Sequence, residues 1–92
     1  MINNNVINNE AKKQFELEVN GVLAVIQYKI MGDKILLLST RVPKELSGQG
    51  VGSKLVKESF DIIEKTDLKA VPVCSFIQGW LRKHPEKQDL LA

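Results

Sequence analysis

The chain has 92 residues, is 43% hydrophobic and 26% charged, and carries a formal net charge of +2. This supports one globular domain with a modest core and excludes a disordered chain. The 13 Lys and Arg residues are dispersed among 11 Asp and Glu, and Arg41 and Arg82 are the only arginines. No basic stripe for nucleic acid results.

Residues 1–13 are polar and Asn-rich, with Val6-Ile7 as an apolar pair, and read as a flexible leader or a short edge strand. The start at Met1 shows neither the basic nor the apolar region of a secretory signal. No apolar run approaches the ~20 residues of a membrane span. One cysteine cannot make an internal disulfide, which suits a reducing compartment and makes cytoplasm the expected location.

From Gln14 the pattern alternates. Phe15, Leu17 and Val19 share one face with Glu16 and Glu18 on the other, which predicts a half-buried strand. Asn20-Gly21 is a two-residue hairpin signal. A second strand, Val22–Ile30, follows, with Leu23 and Val25 implying partial cover on both faces. Met31, Gly32 and Asp33 make a turn before a third strand, Lys34–Thr40. Its apolar run Ile35–Leu38 predicts burial on both sides. Pro43 ends regular pairing and holds Val42 extended.

Gly48, Gly50 and Gly52 then alternate, and an amphipathic helix is expected over Lys54–Lys65. Its buried side carries Leu55, Val56, Phe60, Ile62 and Ile63. Lys54 is spaced to pair with Glu58, and Asp61 with Lys57 or Lys65. Lys69–Cys74 reads as a short strand whose Pro72 marks an edge or a gap in pairing. It should lie parallel to the third strand, reached by a right-handed crossover. Ser75 and Gln78 have the form of a capping box for a second helix, Phe76–Lys83, which stops at His84-Pro85. The tail has room for one further turn. The expected class is α+β: an antiparallel three-strand meander, a crossover helix, one parallel strand and a C-terminal helix.

The glycine turn is neither common nucleotide loop. Ser53, not lysine, follows Gly52, so it is no Walker A loop, and the third glycine spacing breaks the dinucleotide fingerprint. A helix start still offers an anion four amides without intrahelical partners and the positive end of the dipole. A flexible turn that binds nothing is the plain alternative. One Cys and one His make no metal site. His84, Trp80, Phe76 and Tyr28 are each explained by a helix end, the core or a strand.

Cys74 lies just before a predicted helix start, where the dipole favours the thiolate. Such a thiol can act as a nucleophile or as a proton donor. A small buried hydrophobe explains it equally.

Five segments occur together in order: Phe15-Glu16, Thr40-Arg41-Val42-Pro43, Gly48-Gln49-Gly50-Val51-Gly52, Pro72-Val73-Cys74-Ser75-Phe76, and His84-Pro85-Glu86 with Asp89-Leu90. In this the chain resembles the GNAT superfamily of N-acetyltransferases, and more narrowly its short single-domain members that lack the usual N-terminal helices. The likeness runs from Gln14 almost to the end, implying one GNAT-like domain over 14–92. It departs from the pattern at Ser39, where His is frequent, at Arg41, where an acid is frequent, and at Ser47, where larger members carry Gln or Arg. The resemblance implies acetyl-coenzyme A as cosubstrate. The amides of Gln49, Gly50, Val51, Gly52 and Ser53 would hold its pyrophosphate, and the backbone of Arg41 and Val42 its pantetheine arm, with Lys54 or Lys57 near the ribose phosphate. It implies acetyl transfer to an amine acceptor, directly or through Cys74; a monomer or weak dimer is the expected state. A non-catalytic coenzyme A-binding or protein-interaction module is the alternative from another class.

Overall fold

A computed structural model describes residues 4–92; the reading of residues 1–3 as part of a leader lies outside them. A five-stranded sheet runs in chain order, β1(Ile7–Asn9), β2(Gln14–Val19), β3(Val22–Met31), β4(Lys34–Arg41) and β5(Lys69–Pro72). The first four strands pair antiparallel, and β4 and β5 pair parallel across helix α1(Val51–Glu64). Helix α2(Ser75–Arg82) follows β5, and a 3₁₀ segment, Pro85–Leu90, follows α2. Thus part of the 1–13 segment is an edge strand, with Ile7 opposite Glu16.

Alternation sets the burial. Phe15, Leu17, Ala24, Ile26, Tyr28, Ile35 and Leu37 point to one face and are buried against both helices. From α1 come Val51, Leu55, Val56, Phe60 and Ile63, and from α2 Ile77, Trp80 and Leu81. The opposite face is open. Glu18, Leu23, Gln27, Lys29, Met31 and Arg41 are exposed there, and Val25 and Leu36 only half-buried. This corrects the expectation that β4 is covered on both sides: Leu38 is 41% exposed. Its apolar run reflects a pairing irregularity rather than two-sided burial.

That irregularity is a β-bulge. Tyr28 pairs with Leu37, whereas Gln27 pairs with Ser39, leaving Leu38 as the extra residue on β4. A bulge reverses which residues face inward beyond it. The Asn20-Gly21 turn forms as expected, with φ of 53° and 78°. Glycine suits the second position because it adopts a left-handed backbone without the strain other residues bear there.

Most element ends lie within a residue of expectation, and three boundaries near the site differ in kind. Helix α1 begins at Val51, inside the glycine turn, because Gly50 is its N-cap and Lys54 N already donates to Gly50 O. Strand β5 stops at Pro72, because the amides of Val73 and Cys74 both turn to Leu37 O at 3.0 Å. The N-cap of α2 is Cys74 rather than Ser75, so no Ser75–Gln78 capping box forms; Gln78 Nε2 reaches back to Pro72 O at 2.8 Å instead.

Ion pairs hold the outer face of α1. Lys54 meets Glu58 at 2.6 Å and Lys57 meets Asp61 at 3.1 Å, as helical spacing predicts. The second partner of Asp61 is Lys87, at 2.7 Å, rather than Lys65. Lys87 holds the Asp61 carboxyl below its ordinary range, with burial opposing and Lys57 assisting. This clamp fixes the 3₁₀ segment to α1, and the tail continues to Ala70, where Ala92 N donates to Ala70 O. A carboxylate with a lowered folded pKa stabilises the fold above its unfolded pKa, and the contribution is lost as pH falls through the folded value. Asp61 is 38% exposed, so solvent screens the pair. Asp61→Asn is therefore expected to cost at most about 1 kcal/mol at neutral pH. Urea midpoints of the variant and the parent should converge as pH falls below the ordinary value of 3.8.

Candidate acyl-transfer site

Two helix starts meet beside the end of β4. At the first, Gly48 and Gly50 hold φ of 79° and 73°, a left-handed backbone that glycine adopts without strain. Gly52 is different. A Cβ there would lie 2.8 Å from Phe76 Cζ, 3.3 Å from Cε2 and 3.6 Å from Val42 Cγ2. Its lack of a side chain lets the Phe76 ring and Val42 close against the first turn of α1. So the alternating glycines serve two needs, backbone conformation and close approach.

The first turn of α1 keeps its donors available. The amides of Val51, Gly52 and Ser53 precede the first intrahelical bond, made by Lys54 N. No side chain caps this end and no acidic residue lies in the first turn. The side chain of Gln49 turns away to Glu45 O at 3.3 Å, and Ser47 Oγ donates to Lys44 O at 2.8 Å. An anion at this turn would meet the positive dipole end with no carboxylate competing from the same turn.

The second helix start carries Cys74. Beyond Leu37 and Pro72, β4 and β5 no longer pair, while β4 continues through Leu38 to Arg41 along β3. The side of β4 that faced β5 is therefore released next to Cys74. Cys74 Sγ lies 3.4 Å from Thr40 Oγ1 across this opening. Burial disfavours the thiolate, yet the Thr40 hydroxyl and the amides of Ile77, Phe76 and Thr40 outweigh it, and the thiol's pKa is lowered. The half-buried thiol is thus an accessible group biased toward its nucleophilic form.

The other predicted residues fall into two groups. Val42 and Phe76 both approach Gly52, so the end of β4 and the start of α2 close on the first turn of α1. The Arg41 side chain does not join them. Arg41 pairs with Val25 on the open face, which leaves its backbone as the part near the opening. Ser39 also faces away and donates to Gln27 Oε1 at 3.1 Å. Lys54 and Lys57 are paired with Glu58 and Asp61 along α1.

Basic groups come instead from α2. A groove of about 540 Å³ extends from Ser53 past Phe76 and Trp80 to Arg82, Lys83 and His84. Trp80 Nε1 donates to Ser53 Oγ at 3.0 Å, tying the helices together at the head of the groove. His84 stacks on Trp80 with ring centroids 3.8 Å apart, and its Nδ1 lies 2.8 Å from Trp80 O. A carbonyl only accepts, so Nδ1 is the donor, and His84 serves the helix end as expected. Phe76 is 48% exposed and forms a groove wall, correcting its assignment to the core. The sequence did signal the groove: Arg82-Lys83-His84 follows Phe76 and Trp80 at helical spacing. Among the described residues no group of His, Cys, Asp and Glu is placed to hold a metal, and no helix is long and apolar enough to cross a membrane.

Comparison with known proteins places this geometry. The model of the GCN5-related N-acetyltransferase family matches residues 14–90. Protein NATD1 of Mus musculus is 34% identical over 82 residues, covering 86% of this chain and 74% of that protein. Protein NATD1 of Danio rerio is 32% identical over 88 residues, covering 92% of this chain and 80% of that protein. The solution structure of a GCN5-like protein from Staphylococcus aureus superimposes with a TM-score of 0.73 at 33% identity, covering 100% of this chain and 91% of that one. The mixed sheet with its parallel β4–β5 pair, the uncapped turn before α1 and the matched sequence agree, and the chain belongs to the GCN5-related N-acetyltransferase family.

Proposed function

We propose that this protein binds acetyl-coenzyme A and transfers its acetyl group to an amine, with Cys74 as the reacting thiol. The observation that carries the reading is the meeting of an uncapped helix start, at Gly50–Ser53, with the opening between β4 and β5 where Cys74 lies. The family generally uses acetyl-coenzyme A, and the donor chemistry fits a pyrophosphate. Amides of Gln49 through Ser53 surround a glycine-shaped turn with no acid in the helix's first turn. Charge-assisted hydrogen bonds of this kind are roughly twice as strong as neutral ones. The released backbone of β4 near Arg41 and Val42 takes the amide-bearing arm, and Arg82 and Lys83 supply positive charge where the groove runs away from the turn.

The bound thioester supplies an activated acetyl carbon. In the covalent route Cys74 Sγ bonds to that carbon as its bond to the coenzyme sulfur breaks, and the Cys74 proton ends on the departing thiol. The amine then displaces Sγ, and a proton from the amine returns to Cys74. In the direct route the amine attacks the thioester and Cys74 gives its proton to the departing thiolate, regaining one from the new ammonium centre. Neither route changes oxidation state. The lowered thiol pKa serves both routes, since it raises the thiolate share for attack and makes the remaining thiol a stronger acid. A free cysteine in this role suits a reducing compartment, and we place the protein in the cytoplasm.

Ligand binding to the native state raises its stability by about 2.7 kcal/mol at a hundredfold excess over Kd. Acetyl-coenzyme A should therefore raise the thermal midpoint by on the order of ten degrees in a domain of this size. No shift with either acetyl-coenzyme A or coenzyme A at millimolar concentration defeats the proposal. Binding without thioester loss across a panel of amines leaves a coenzyme-binding module.

Two variants separate the parts of the site. Intact mass after incubation with acetyl-coenzyme A should show one added acetyl group in the parent and none in Cys74→Ala. Undiminished transfer by that variant removes Cys74 from the mechanism. Gly52→Ala should push the Phe76 ring aside and weaken coenzyme binding measurably. The same change in a Phe76→Ala background should have a smaller effect, because the atom it would strike is gone.

A further inference from the structure

The bulge at Leu38 does more than end the apolar run of β4. If alternation continued from Leu37, Ser39 would face the helices and Thr40 the open side. The extra residue reverses this. Thr40 pairs with Ile26, whose side chain is wholly buried under the helices, while Ser39 joins Gln27 on the open face. Directly opposed residues share a face, so the Thr40 hydroxyl turns inward toward the N-cap of α2. There it lies 3.4 Å from Cys74 Sγ.

We propose that Thr40 is the positioning residue of Cys74: its hydroxyl fixes Sγ at the β4–β5 opening and donates a hydrogen bond to the thiolate. The inference rests on reading Cys74 as the reacting thiol. A hydroxyl suits both protonation states, since it accepts from a thiol and donates to a thiolate. The backbone amides of Thr40, Phe76 and Ile77 also favour the thiolate, but no side-chain cap bond forms at Cys74, so among the described residues the Thr40 hydroxyl is the one direct partner of Sγ. The surroundings leave little else to tune the group. Ser75, Phe76, Ile77 and Gln78 of α2 and Pro72 and Val73 before it are uncharged. Along β4, the side chain of Arg41 belongs to the open face, paired with Val25. Thr40 therefore acts through Cys74 rather than on substrate.

The test reads the thiol directly, without coenzyme. Cys74 is the single cysteine in the chain, so the pH dependence of alkylation by iodoacetamide reports on it alone. Removing a hydrogen bond to the thiolate disfavours the charged form. In Thr40→Val the titration midpoint should rise by about one pH unit, and Thr40→Ala should move it in the same direction. Alkylation near neutral pH should slow by somewhat less than about tenfold, because a more basic thiolate is also a better nucleophile. Thr40→Ser should titrate close to the parent. A Thr40→Val profile that superimposes on the parent overturns the proposal. So does a Thr40→Ser variant that shifts as far as Thr40→Val, since the methyl group rather than the hydroxyl would then be responsible. Thermal midpoints of the variants check folding, and a purely packing role would move those without moving the thiol's titration. Should the titration shift while Cys74→Ala keeps full acetyl transfer, the positioning of Sγ stands and the assigned chemistry falls.

Discussion

Strands β4 and β5 can share hydrogen bonds only as far as Leu37 and Pro72. Proline has no amide hydrogen, and the next two donors, of Val73 and Cys74, both converge on Leu37 O. Chain direction changes there, and α2 starts at once with Cys74 as its N-cap. On the other side, β4 stays paired to β3 through Arg41, so it cannot follow β5 away. The sheet divides because one strand is held and the other is released. A parallel sheet buried on both faces would conceal this division between helices. Here it lies at the margin of the α1–α2 layer, with the half-buried Thr40 and Cys74 facing across it.

Placement of the helix starts follows from that division. Gly52 allows Phe76 to press on the first turn of α1, and Trp80 reaches Ser53 from the next turn of α2. The two dipoles thus present their positive ends to one small region, free of acidic residues in either first turn. Field at such a site is fixed in the backbone. It requires no side-chain ordering when an anion arrives, which is the advantage of preorganised donors over flexible lysines. Trp80 also stacks on Phe60 with ring planes 4° apart, so the groove wall is anchored in the core.

Much of this was legible in the residues because it repeats or punctuates. Period-two alternation at Phe15, Leu17 and Val19, the Asn20-Gly21 turn and the apolar side of α1 each carry a local signal with a physical cause. The glycine turn was legible as a place and less so as a structure, since its start is helical from Val51. The bulge was not legible. A run of leucines, Leu36-Leu37-Leu38, reads alike whether both faces are covered or one residue is extra. Capping by Cys74 is not legible in the residues because Ser75 is by propensity the better cap; the turn of Val73 and Cys74 onto Leu37 O overrides that preference. Helical spacing with Trp80 points Phe76 inward, whereas its position faces a groove that exists only once α1 and α2 are docked.

The margins of the sheet have a consequence for how this molecule meets other chains. An open sheet normally offers unpaired backbone at both outer strands, an invitation to further strands. Here β1 is only Ile7–Asn9, and Val6 N is drawn to Glu58 Oε1 on α1 at 2.9 Å. At the opposite edge the tail occupies β5, with a parallel bridge between Ala70 and Leu91. Growth by strand addition is thereby discouraged at both ends. Apart from the short released stretch of β4 beside Cys74, the open face of the sheet and the flank of α2 present side chains rather than free backbone.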